Sequence, residues 1–425
     1  MTDTAIDYPT SGEDAPRPAP GDERTNWSSA LQFALSALGV VMLWSGALGI
    51  YLLALSWRFD QAVPVESATP MFLLATGLFF SGVLLIPSAV LSLLDLFGRG
   101  EVARRWEERF HLQYPGWSIL ALPPALLVGY WISQNQSLAW LLLPPLHVIA
   151  VAIPVWWLYY LGRRGLPGGK PQRAWGVFAS GLVLGPALIL IAELAVLVVF
   201  VGIVALYLAS DPGLSSELLE LAQRLSLGTT SPDEVQRLLT PYLLQPGVAF
   251  LALVYGAVLV PLIEELFKPI GVWLLAGRGI TPREGFAAGL LSGAGYALFE
   301  NLAFSSSAQD WAWVVVIRIG TAVMHIFTAG LTGWALASAW RERRYLRLGV
   351  AYLTAVTIHG MWNGLTLLAV GAELTPAGAA GTSFVSRLAA ITPLALFALA
   401  LATFLTLLWA NNSLRQDPGA ELPST

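Results

Sequence analysis

Residues 247–276 read GVAFLALVYGAVLVPLIEELFKPIGVWLLA, and this stretch decides the class of fold. It is longer than the ~20 residues that an α-helix needs to cross about 30 Å of hydrocarbon. Its only charged side chains are Glu264, Glu265 and Lys268. The stretch therefore predicts a membrane-spanning helix that carries ionisable groups at membrane depth, where such groups are costly and usually functional.

The rest of the chain has the same apolar character. Of 425 residues, 56% are hydrophobic and 12% are charged, against about 25% charged in typical soluble domains. We predict an all-α, polytopic integral membrane protein with about ten transmembrane helices. The predicted spans are 30–57, 69–96, 117–134, 138–162, 174–209, 247–276, 284–304, 311–340, 346–370 and 384–411. The fifth contains Gly185-Pro186 but is too short for two spans, which favours one kinked helix.

The spans divide the chain into modules. We expect a disordered cytoplasmic tail (1–28), an N-terminal module of five helices (29–210), an extracytoplasmic amphipathic loop (211–245), a four-helix core (246–370), a last helix (384–411) and a second tail (412–425). In the loop, Ser231-Pro232-Asp233-Glu234 predicts a helix start. The loop is interpreted either as a surface hairpin or as a docking platform for a substrate.

Charge and cysteine content limit the location and the chemistry. Of the 23 Lys and Arg residues, 17 are counted with the predicted inner segments, including Arg347 at the cytoplasmic end of its span, three with the outer ones and three within spans. The positive-inside rule then predicts a multi-pass protein of the plasma (inner) membrane with both termini cytoplasmic. The net charge of −4 gives no reason to expect a nucleic-acid partner. Without Cys, disulfides, thiolate zinc sites and a Cys nucleophile are excluded.

Polar residues concentrate on spans six to nine. They are Glu264, Glu265 and Lys268, then Tyr296, Glu300 and Asn301, then Arg318 and His325, and finally His359 and Asn363. Counting 1.5 Å per residue from the nearest cytoplasmic arginine places Glu264, Glu300, His325 and His359 about 18–25 Å deep. Two carboxylates and two imidazoles at one level on neighbouring helices can converge into a site.

The spacing of charged residues and prolines along span six supports a functional site there. Glu264 and Lys268 are four residues apart and can pair on one face of a helix. Pro261 and Pro269 each remove a backbone donor, which predicts a kink around the acidic pair.

A stripe of small residues marks span seven. Gly285, Gly289 and Gly293 recur every four residues and lead onto the face of Tyr296 and Glu300. Such a stripe predicts close packing against another helix.

At these residues the sequence resembles the PrsW family of membrane-embedded peptidases. The resemblance covers roughly 246–370 and is carried by Glu264-Glu265-x-x-Lys268, Gly293-Ala-Gly-Tyr-Ala-x-x-Glu300-Asn301, His325 and His359-x-x-x-Asn363. Tyr296 stands where the family usually has Phe. The resemblance implies hydrolysis of peptide bonds in a membrane-anchored protein substrate, for example a membrane-anchored regulator. The wider superfamily includes the prenyl-protein endopeptidases. Its members have been interpreted both as metallopeptidases and as glutamate-dependent peptidases.

The simplest mechanism for these residues is water activated by a carboxylate. Glu264 is the predicted general base, and Glu265 or Glu300 would help to place the water. Lys268 would fix the charge state of the acidic pair.

The remaining polar residues complete the predicted site. His325 and His359 would act on the oxyanion or the leaving amine, and Asn363 would donate to the oxyanion. A metal version, with zinc as the expected ion, uses Glu264, Glu300, His325 and His359 as ligands. We favour the water-only version slightly as the simpler chemistry, but the residue pattern alone cannot rank the two versions.

The same polar residues suggest three alternative functions. Ser292 and His325 suggest a rhomboid-like serine peptidase, but the glycine two residues before such a serine is missing, so a packing role is favoured. Intramembrane Glu, His and Lys residues also suit a proton- or solute-coupled transporter. A non-catalytic pseudopeptidase is a third alternative.

Three further polar residues have structural interpretations. Arg318 is expected to extend to the outer interface, Glu193 to be solvated near the outer surface, and His147 to hydrogen-bond between helices.

Overall fold

The structure is a computed structural model, and it describes residues 27–59, 68–99, 101–102, 105, 116–167, 169–210, 213, 216–217, 220–223, 232–304, 307–374 and 384–416. These residues form helices and turns, with no strand among them. The tail predicted at 1–28 falls almost wholly outside the described residues, as do Ser231 and most of the tail at 412–425.

The described residues contain eleven principal helices, numbered here along the chain. They are α1 (Trp27–Phe59), α2 (Thr69–Leu96), α3 (Leu122–Ser133), α4 (Gln136–Arg163), α5 (Pro171–Ala209), α6 (Pro232–Leu243), α7 (Pro246–Trp273), α8 (Pro282–Ala303), α9 (Trp311–Glu342), α10 (Tyr345–Glu373) and α11 (Phe384–Gln416). A 3₁₀ turn, Gly116–Ala121, leads into α3.

Eight of these helices, all but α3, α6 and α8, are long and apolar enough to span a membrane within the described part of the chain, and α3 together with its leading 3₁₀ turn, as Gly116–Ser133, is the ninth candidate. The remaining predicted span, 284–304, is α8, whose 22 residues carry Arg283, Glu284 and Glu300 and lie mostly buried among the other helices. The predicted all-α polytopic fold is confirmed. The orientation and the module boundaries stay predictions.

The fifth span is a single helix, as predicted. Helix α5 runs continuously from Pro171 to Ala209 and contains a π-helical turn over Ser180–Leu184, just before Pro186. Proline cannot donate to the carbonyl four residues back and its ring collides with that group. A wider π turn at this position relieves the collision without ending the helix.

Helix α7 is irregular in the same way. A π turn over Tyr255–Leu259 precedes Pro261, and the helix breaks again at Lys268 and Pro269. The hydroxyl of Ser292 donates to the Lys268 carbonyl at 2.6 Å and accepts from the Gly271 amide at 3.3 Å. Ser292 therefore closes the backbone break and is fully buried, which agrees with its predicted packing role.

Helices α8 and α9 form the tightest pair, as the small-residue stripe predicted. A Cβ added to Gly285 would meet Gly333 and Ala337, and one added to Gly293 would lie 2.7 Å from the His325 carbonyl. A capping box between Thr281 and Glu284 fixes the start of α8. This close contact places the Glu300 end of α8 beside the His325 turn of α9.

Candidate active site

Lys268 is the centre of a buried ion cluster on α7. Its ammonium nitrogen lies 3.0 Å from Glu264 Oε2 and 2.8 Å from Glu265 Oε1. Lys268 and Glu265 are fully buried and Glu264 is 8% exposed. The predicted pairing of Glu264 with Lys268 is confirmed, but Lys268 also neutralises Glu265. Glu265 and Glu264 stand three and four residues before Lys268, so one turn of regular helix lets a single lysine pair with both carboxylates.

His359 joins this cluster from α10. Its Nδ1 is 3.0 Å from Glu265 Oε1 and 3.1 Å from Lys268 Nζ, and its Nε2 is 3.8 Å from Glu264 Oε2. With the proton on Nδ1, the ring donates to Glu265 and leaves the Nε2 lone pair facing Glu264. Tyr352 secures α10 against α7 by donating to the Leu262 carbonyl at 2.6 Å.

Tyr296 completes the cluster from α8. Its hydroxyl donates to Glu264 Oε2 at 2.7 Å, and its ring packs edge-on against His325, with centroids 5.1 Å apart. Tyr296 was expected on the face that carries Glu300, but its hydrogen bond to Glu264 was not predicted from the sequence. A Phe at this position would leave that Glu264 oxygen with one donor fewer.

Glu300 forms a second ion cluster between α8 and α9. One carboxylate oxygen, Oε1, lies 2.7 Å from the Arg318 guanidinium, and the other, Oε2, lies 2.6 Å from His325 Nε2. The Oε2–Nε2 pair is close but not aligned as a hydrogen bond, so both atoms lack a hydrogen-bond partner among the described residues. His325 is 1% exposed, whereas the Glu300 side chain is 30% exposed. Glu300 is therefore the more accessible carboxylate.

Asn301 and Asn363, which belong to the motifs of the family resemblance, each donate a hydrogen bond to a backbone carbonyl. Asn301 accepts from Arg318 Nε at 2.7 Å and donates to the Arg318 carbonyl at 3.3 Å. Asn363 donates to the Gly256 carbonyl, in the π turn of α7, at 2.9 Å. The oxyanion role predicted for Asn363 is untested, and in this structure its amide is used to fix α7.

Three buried side chains could hold a metal ion. One ligand atom each from Glu264, His325 and His359 lies within 4.8 Å of the others. The donor set, one carboxylate and two imidazoles, is ordinary for zinc. Atoms around one tetrahedral zinc lie roughly 3.4 Å apart, so modest side-chain rotation would close the group. Glu300, the fourth ligand of the metal version, lies outside this group and against His325.

The structure corrects two predictions and confirms one. Arg318 does not reach for the outer interface, because its side chain is 14% exposed and paired with Glu300. Glu193 is not simply solvated, because its Oε1 is buried without a hydrogen-bond partner in the described residues. His147 does bond between helices, accepting from the Trp311 indole at 3.2 Å.

Replacing Lys268 with methionine should destabilise the fold. Two carboxylates would then be buried side by side without a cation, and breaking a buried ion pair on one side costs on the order of 3–5 kcal/mol. We expect the free energy of unfolding in detergent micelles to fall by about that amount. Adding Glu265→Gln should recover much of it, and Lys170→Met, at the exposed second lysine of the chain, should change little. A K268M protein as stable as wild type would contradict this assignment of charges.

Comparison with known proteins gives one result. Residues 228–409 match the PrsW family intramembrane metalloprotease. The match contains the whole ion cluster and extends to α6 and most of α11, beyond the 246–370 of the sequence resemblance. No curated protein and no solved structure matches the chain significantly. The chain is thus a membrane hydrolase with a PrsW-like peptidase segment, while α1–α5 lie outside the matched residues.

Proposed function

We propose that this protein cleaves a membrane-anchored protein substrate at a site where Glu264, His325 and His359 hold a divalent metal ion, most simply zinc. The observation that carries the proposal is the convergence of these three buried ligand groups from α7, α9 and α10. The family whose model matches residues 228–409 is one of metalloproteases, which favours the same version. We therefore favour the metal-dependent mechanism over the mechanism that uses water alone.

Charge balance supports a cation at this position. Glu264, Glu265 and Glu300 face only two fixed cations, Lys268 and Arg318, if the imidazoles are neutral. An excess negative charge in an apolar interior is costly. In addition, neither ring nitrogen of His325 has a hydrogen-bond partner among the described residues. The buried imidazole of His325 therefore fits the role of a metal ligand.

A bound zinc ion polarises a peptide carbonyl and lowers the pKa of a bound water. The protein's own part begins with Glu265, which we assign as a positioning residue. By accepting from Nδ1 of His359, it fixes the ring orientation and leaves Nε2 directed toward Glu264. Carboxylates that orient metal-binding histidines in this way typically contribute 10–100-fold to the affinity for the metal or to the catalytic activity.

Glu300 is the group we assign to proton transfer. Arg318 binds one of its oxygens and leaves the other, Oε2, without an aligned donor. Glu264 Oε2, by contrast, already accepts from Tyr296 and pairs with Lys268. A general base must be reachable by the water it activates, so Glu300, with a side chain 30% exposed against 11% for Glu264, replaces Glu264 as the proposed base. Protonated Glu300 can then pass the proton to the leaving amine.

Lys268 and Asn363 act at a distance from the reacting atoms in this proposal. Lys268 keeps Glu264 and Glu265 ionised, and Asn363 holds the π turn from which the acidic end of α7 continues. We further propose that the protein lies in the plasma membrane with both termini cytoplasmic and with the site near mid-membrane.

Reconstitution into liposomes tests the proposed function. Purified protein should cleave a single-span reporter protein, lose most activity after treatment with a strong chelator, and regain it when zinc is returned. Full activity in a protein shown to be free of metal would contradict the metal site and favour the water-only mechanism. Ion flux without cleavage would indicate a transporter, and substrate binding without cleavage a pseudopeptidase.

A further inference from the structure

Glu193 lies beside the candidate active site but comes from α5, outside the residues that match the peptidase family. Its carboxylate is close enough to interact electrostatically with Glu264, Glu300 and Lys268. Helix α5 packs against both halves of α7 and against α8. The Tyr255 hydroxyl also reaches the Glu193 backbone carbonyl at 3.4 Å. The N-terminal module thus adds an acidic side chain to the neighbourhood of the site.

This carboxylate has no cation of its own. Its Oε1 is buried and has no hydrogen-bond partner in the described part of the chain. Lys268 is already paired with Glu264 and Glu265, and Arg318 with Glu300. A carboxylate without a cation, within electrostatic range of two others, is costly in an apolar environment. A positive group supplied from outside the fold would compensate this charge without requiring the carboxylate to take up a proton.

The position of Glu193 suits contact with an incoming membrane segment. Helices α5 and α7 have the least buried hydrophobic windows of the nine candidate spans, at 6% and 11%. Next to Glu193, Leu190 and Leu194 are 57% and 52% exposed. This side of the fold offers uncovered apolar surface beside Glu193, on which a helical membrane segment could pack.

We propose that Glu193 binds a lysine or arginine side chain of the substrate and so selects membrane segments with a basic residue near the bond to be cleaved. The proposal rests on the proposed function, because it assumes a membrane-anchored peptide as substrate. It gives the N-terminal module a part in recognition in addition to anchoring. Such a charged hydrogen bond should change affinity by about ten- to a hundredfold.

Binding to a cleavage-impaired variant tests this inference directly. Glu300→Gln protein in lipid nanodiscs would be titrated with single-span peptides that carry one lysine, moved through the central turns, and with matched norleucine peptides. We expect one or two lysine positions to bind about ten- to a hundredfold more tightly than norleucine. Adding Glu193→Gln should abolish that difference and leave norleucine binding unchanged. Tyr255→Phe, which keeps the carboxylate, is the matched control and should retain the preference.

The outcomes separate this inference from the proposed function. Equal affinity for lysine and norleucine peptides at every position would overturn the inference, as would a lysine preference that persists in Glu193→Gln. Glu193→Lys should reverse the preference toward an aspartate peptide at the same position. A lysine preference in binding, combined with no cleavage by the wild-type protein, would refute the peptidase assignment and leave the recognition role of Glu193 standing.

Discussion

Replacing His359 with alanine should remove the bound metal and lower the rate of substrate cleavage by on the order of 10³-fold or more. The substitution deletes one of only three candidate ligands. Metal ions contribute several kcal/mol to the stabilisation of charge in the transition state, and about 4 kcal/mol corresponds to a thousandfold in rate. Elemental analysis of the purified protein, together with the liposome cleavage assay, measures both effects. His325→Ala should behave in the same way.

His147 provides a matched control for this experiment. It is as buried as His359, at 3% against 2% exposed, but it lies on α4 and bonds to Trp311. His147→Ala should lose some stability and keep both metal and activity. Full metal content in His325→Ala and in His359→Ala would contradict the three-ligand site. Loss of activity with metal retained would return the histidines to the oxyanion or leaving-group roles of the water-only mechanism.

The spans were predictable because hydrocarbon thickness imposes a length on every crossing helix. The stretch predicted at 138–162 is observed as Gln136–Arg163, and that predicted at 69–96 as Thr69–Leu96. Small residues at a four-residue spacing also indicated the contact between α8 and α9 correctly. In both cases the signal is local, since it depends on residues within one helix.

The site was only partly predictable, because depth along a helix does not give the direction of a side chain. Arg318 was placed near the outer interface by counting residues, yet its long side chain extends to Glu300 on the neighbouring helix. Glu193 was misplaced for the same reason. The one indication of its role in the sequence was that Glu193 is an isolated acidic residue within a long apolar span. Lys268 pairs with both glutamates because they stand three and four residues before it, although only the four-residue pair was predicted.

Replacing Glu300 with glutamine should lower kcat by about 10²–10⁴-fold, the usual cost of losing a positioned general base. Glutamine keeps the volume of the side chain and can still accept from Arg318 through its carbonyl oxygen, but it cannot take a proton from water. Metal content and thermal stability in detergent should therefore stay close to the wild-type values. Single-turnover cleavage in liposomes, at saturating substrate, measures the change in kcat separately from binding.

Glu284 on the same helix is the matched control for this last substitution. Glutamine serves in a capping box as well as glutamate does, so Glu284→Gln should preserve the start of α8 and the activity. Glu264→Gln gives the contrasting result, because removing a ligand should lower metal content as well as rate. If Glu300→Gln lost its metal, Glu300 would be a ligand, as the four-residue metal set of the sequence predicted. If it cleaved at the wild-type rate, the base would have to be Glu264 or Glu265, and the free Oε2 of Glu300 would have no catalytic meaning.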